Sequence, residues 1–106
     1  MTDKELLELA AKAAGINTKR CLQYSDGAFD WPEKAGRWNP LTDDGDALRL
    51  AVKLGLFIQI NSHSATAWKW RGENWYEEAA DNADDMSATT RRAIVRAAAE
   101  IGKGMK

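Results

Sequence analysis

The sequence predicts an α+β fold, in which a single domain spanning residues 1–106 packs three helices against a three-stranded antiparallel sheet. The apolar spacing is helical up to Gly55, alternates from Leu56 onward, and turns helical again after Asp85. Each helical stretch also carries a start signal, a stop signal or both. Finally, 106 residues with 44% hydrophobic content are enough to form one core.

The first helix is expected over residues 3–14. Thr2 and Glu5 stand at capping-box spacing, and Leu6, Leu9, Ala10, Ala13 and Ala14 recur on a helical period. Gly15 supplies a stop, and Ile16 is the apolar residue that folds back over it. From Asn17 to Leu41 the period fails, although the stretch holds Leu22, Tyr24, Phe29, Trp31 and Trp38. Such aromatic content does not fit a disordered linker. Leu22 and Tyr24 alternate before the Asp26-Gly27 turn, and Phe29 and Trp31 after it, so a small additional hairpin at 21–31 is expected, its rings docked on the core.

Residues 37–50, RWNPLTDDGDALRL, pose a choice between an acidic site and a helix start. Ala47, Leu48, Leu50, Ala51, Val52 and Leu54 follow the acids and end at Gly55, which is a helix with a glycine stop. Thr42 or Asp43 can accept from its first free amides, and Asp44 and Asp46 favour the positive end of its dipole. Asp46, Arg49 and Lys53 lie three and four residues apart, a charged stripe read as the only wet side of a nearly buried helix. A calcium loop would need D-x-[DN]-x-[DN]-G and a glutamate at its twelfth position; TDDGDALRL has neither, so no metal is expected.

Strands follow at residues 56–61, around Trp68 to Arg71, and at 75–78. In the second, Trp68 and Trp70 share one face, which at strand spacing packs under helices more often than it meets a partner, while Lys69 and Arg71 point away. A last helix is expected from Ser87 to Ile101, preceded by acids at 77–85 and stopped by Gly102.

Fifteen basic and sixteen acidic side chains leave a net charge of −1, without the positive field that non-specific binding to nucleic acid or an anionic membrane uses. Cys21 is alone and closes no internal disulfide, no apolar run reaches bilayer length, and the N-terminus lacks signal-peptide organisation; the expectation is a cytoplasmic protein with no membrane partner. His63 is the single histidine, beside Ser62 and Ser64 in a loop, and sequence adjacency is not the spatial arrangement of a triad. With no P-loop and no G-x-G-x-x-G, and too few soft ligands for zinc, neither catalysis nor a cofactor is expected.

WNPLTDDGDALRLAVKLGL and the ending ATTRRAIVRAAAEIG resemble small proteins of tailed bacteriophages and prophages, and the pattern over residues 22–102 is similar to the phage ABA sandwich domain. The resemblance implies a layered α+β fold and phage origin, and names no catalytic residue.

Two functions are expected, in order. The first is a non-catalytic interaction module that binds a host or phage protein through exposed rings among Trp31, Trp38, Trp68, Trp70 and Trp75. The second is nucleic-acid binding: a helix, three strands and a helix in that order resemble the double-stranded RNA-binding arrangement, with Lys69, Arg71, Arg91, Arg92 and Arg96 meeting phosphates near the last helix.

Overall fold

A computed structural model describes residues 2–31, 36–69, 75–79 and 85–105, with Arg20, Trp31 and residues 75–79 placed by backbone alone. Helix α1 (Asp3–Ala13) begins at Thr2, whose hydroxyl accepts from the Glu5 amide. It closes with the Ile16 amide donating to the Ala11 carbonyl and Gly15 to Lys12, which satisfies carbonyls the last turn leaves open. The aromatic segment then forms its own sheet of β1 (Leu22–Gln23), β2 (Phe29–Trp31) and β3 (Gly36–Trp38), antiparallel and in that order. The expected hairpin is therefore present, with a third strand added.

Its register corrects one detail. Gln23 stands opposite Phe29 and Leu22 opposite Asp30, so Leu22 is exposed while Phe29 is buried. Phe29 and Trp38 are register partners, their ring centroids 6.3 Å apart, and both rings enter the core. Tyr24 instead carries the Arg37 guanidinium 4.2 Å above its ring.

Helix α2 (Asp44–Leu54) ends at Gly55, whose φ of 67° reverses the chain into the main sheet without the steric cost a Cβ would bring. That sheet is β4 (Leu56–Ile60), β5 (Ser64–Lys69) and β6 (Trp75–Ala79), antiparallel throughout and in chain order. Helix α3 (Met86–Lys103) packs on α1, on α2 and on the strands of this sheet. Its contact surface is small: Ala93, Ala97, Ala98 and Ala99 are buried, as are Ala10, Ala11 and Ala14 on and just after α1.

Gly102 is not the helix stop. It lies within α3, where a Cβ would overlap the Leu9 carbonyl of α1, so its missing side chain allows the two backbones to meet. Alanine against alanine gives each helix little area to bury, and closeness restores the dispersion contacts that bulk would otherwise supply.

In the main sheet it is alanine, not Trp68, that lies under the helices. The helix-side row of β5 is Ala65 and Ala67, both fully buried, with Leu56 and Ile58 of β4 packed against the core beside them. Trp68 belongs to the opposite row. A bulky ring facing α3 would hold the helix off the sheet.

Candidate functional site

The acidic stretch resolves into three different tasks. Asp43 is the N-cap of α2, its Oδ2 accepting the Asp46 amide at 2.8 Å. The Asp44 carboxylate pairs with Arg91 of α3. Asp46, expected on a wet stripe, is only 1% exposed: Oδ2 accepts the Asn39 amide at 2.9 Å and Oδ1 accepts Arg49 Nη2 at 2.8 Å. Burying a carboxylate is costly unless such donors surround it. Asn39 turns the chain ahead of the helix, its Oδ1 accepting the Leu41 amide and its carbonyl the amides of Thr42 and Asp43. Among the described residues, no group of three or more His, Cys, Asp or Glu is arranged to hold a metal ion.

The turn before α2 and the start of α3 meet here. Arg91 Nε donates to the Leu41 carbonyl at 2.8 Å while its Nη1 holds Asp44, so the closing helix is bolted to the turn before α2. W-N-P, D-D-G-D and R-R are accounted for by folding.

Those bonds bear on the proposed phosphate-binding set. Arg91 is largely buried and committed to α2, and Arg92 reaches Asp3 of α1 at 3.2 Å. Arg96 is exposed one turn further along, Lys69 is exposed at the end of β5 opposite Leu56, and Arg71 lies outside the described residues. The helix start therefore presents arginines whose charge is already met by carboxylates of the same chain.

Among the tryptophans, Trp38 is 2% exposed and inside the core, which removes it from any binding surface. Trp70 lies outside the described residues, and the side chains of Trp31 and Trp75 do as well. Trp68 is half-buried and stacks on Phe57, which is 43% exposed, with centroids 5.7 Å apart and ring planes 14° from parallel. The register places Phe57 opposite Trp68 and Trp68 opposite Trp75, one residue from each strand in a line across the sheet.

Exposed apolar residues missed by the sequence analysis lie on α2 and β4. Leu48 is 60%, Val52 72% and Ile60 59% exposed, so α2 is not nearly buried. Leu48, Ile58, Ile60, Met86 and Ile94 line a groove of about 430 Å³ between α2, β4 and the start of α3, with the Asp44–Arg91 pair at its rim. The signal was the continuous apolar run of α2, which has more apolar positions than one buried face can use.

Among the described residues, no helix is long and apolar enough to cross a membrane. No protein family, curated protein or solved structure matches the chain.

Proposed function

We propose that this chain is a non-catalytic protein-interaction module, of phage or prophage origin, that binds a host or phage protein in the bacterial cytoplasm. The observation that carries the reading is the Phe57–Trp68 stack, a partly exposed aromatic pair on the face of the main sheet opposite Ala65 and Ala67. Rigid rings contribute contact area at low entropic cost, and tryptophan is enriched where interfaces concentrate their energy.

The second reading, binding of double-stranded RNA through α3, draws support from the order α2, β4, β5, β6, α3. The ion pairs of Arg91 and Arg92 weigh against it. Affinity capture from host lysate, run beside RNA and DNA mobility shifts over a salt series, separates the two. A protein retained at high salt and lost on Phe57→Ala with Trp68→Ala is the expected result. Steeply salt-sensitive RNA binding that disappears on Arg92→Glu with Arg96→Glu overturns it.

A further inference from the structure

We propose that two copies of this chain pair through the edge of β4 that no described strand covers, joining their main sheets across a two-fold axis at Ile58. This goes beyond the preceding reading and uses a different surface, the sheet edge in place of its aromatic face.

The direction of the peptide groups is the first support. β4 lies at the edge of the order β4-β5-β6. The Asn61 amide donates to the Ser64 carbonyl at 2.8 Å, so position 61 points toward β5. Antiparallel pairing alternates, and the unbroken register from Ile60↔Ala65 to Leu56↔Lys69 turns positions 59 and 57 the same way. Leu56, Ile58 and Ile60 therefore aim their N–H and C=O groups off the sheet. That set is symmetric about Ile58. A second β4 laid antiparallel places Ile58 on its own copy and Leu56 on Ile60 of the other, with about six hydrogen bonds between mutually exchanging pairs.

Composition is the second. Natural edge strands are guarded by charge or proline, and the opposite edge, β6, carries Glu77 and Glu78. β4 reads Leu-Phe-Ile-Gln-Ile and carries neither. Among the described residues, four of the six large apolar side chains that are exposed, Leu48, Val52, Phe57 and Ile60, belong to the α2–β4 unit.

Charge complementarity selects a second copy as the occupant. The axis runs through the sheet, so α2 and its copy lie antiparallel. The acidic start of α2, where Asp43 and Asp44 stay exposed beside their own partners Arg49 and Arg91, is then directed toward the end of the other helix, where Lys53 is exposed. A like-charged edge would repel its copy; this one is uncharged along the strand and oppositely charged at its two flanks.

Sedimentation velocity of the intact chain over a concentration series tests the pairing. The expected result is a concentration-dependent dimer whose dissociation constant rises roughly tenfold or more with Ile60→Pro or Ile60→Lys, about 1.4 kcal/mol of association or more. Proline at 60 removes an outward amide that β5 does not use, and an unchanged circular dichroism spectrum shows that the variant is folded. Trp68→Ala is expected to leave the dimer intact. Oxidation of Ile58→Cys in a Cys21→Ser background should yield a covalent dimer, and Leu22→Cys in the same background should not. A wild-type monomer at about 100 µM, the weak end of specific association, overturns the proposal. Dissolution by Trp68→Ala but not by Ile60→Pro overturns it as well, assigning association to the sheet face. So does a monomer that captures a foreign protein lost on Ile60→Pro, which assigns the edge to another occupant.

Discussion

The two faces of the main sheet sort their residues in opposite ways. Toward α3 stand Ala65 and Ala67, fully buried; on the other side stand Trp68 and Phe57, partly in water. Helix α2 repeats the contrast, hiding the carboxylate of Asp46 while leaving Val52 72% exposed. Hydropathy alone orders neither pair correctly. What decides is the room between layers and the presence of a partner: a helix pressed close to a sheet leaves space for a methyl group, and an acid with two donors in reach can be enclosed.

The contrast breaks most severely where the layers are tightest. Gly102→Leu must drive α3 away from the Leu9 backbone, and a loss of about 4 kcal/mol or more is expected, read as failure to fold or a steep drop in melting temperature. Asp46→Ala strands the Asn39 amide and takes from Arg49 its nearer carboxylate, leaving that of Asp43 at 3.8 Å, for an expected loss of about 3 kcal/mol in urea denaturation; a loss below about 1 kcal/mol would show that the enclosed acid is not supporting the turn. Ala67→Leu adds volume where none is free and should cost about 2 kcal/mol. Asp43→Ala removes the cap for about 1 kcal/mol, with the same melting temperature in EDTA and in added magnesium.

Much of this was legible in order along the chain. The changes of period at Gly55 and after Asp85, the Thr2 and Asp43 caps and the Gly55 reversal are local events, governed by a few consecutive residues, and each lies where the pattern puts it. Facing was not legible. Trp68 and Ala67 alternate equally well in either orientation, and only the closeness of the alanine-rich α3 decides between them. Asp46 has the helical spacing of a wet residue, and its burial depends on the Asn39 amide, seven residues back across a turn. Arg92 gave no sign of Asp3, because that pair spans 89 positions. Of the tryptophans named for a surface, Trp38 went inward as the partner of Phe29 in a sheet whose third strand carried no periodic signal.

The position of α3 has a consequence for the order in which the molecule is made. The helix that contacts α1, α2 and the main sheet is also synthesised after all of them. Until it emerges, α1 has lost its principal neighbour and the alanine row of β5 has nothing above it. A nascent chain halted before Met86 should therefore be protease-sensitive throughout and a client for chaperones, with folding completed only as the final turns, and Gly102 with them, become free to dock.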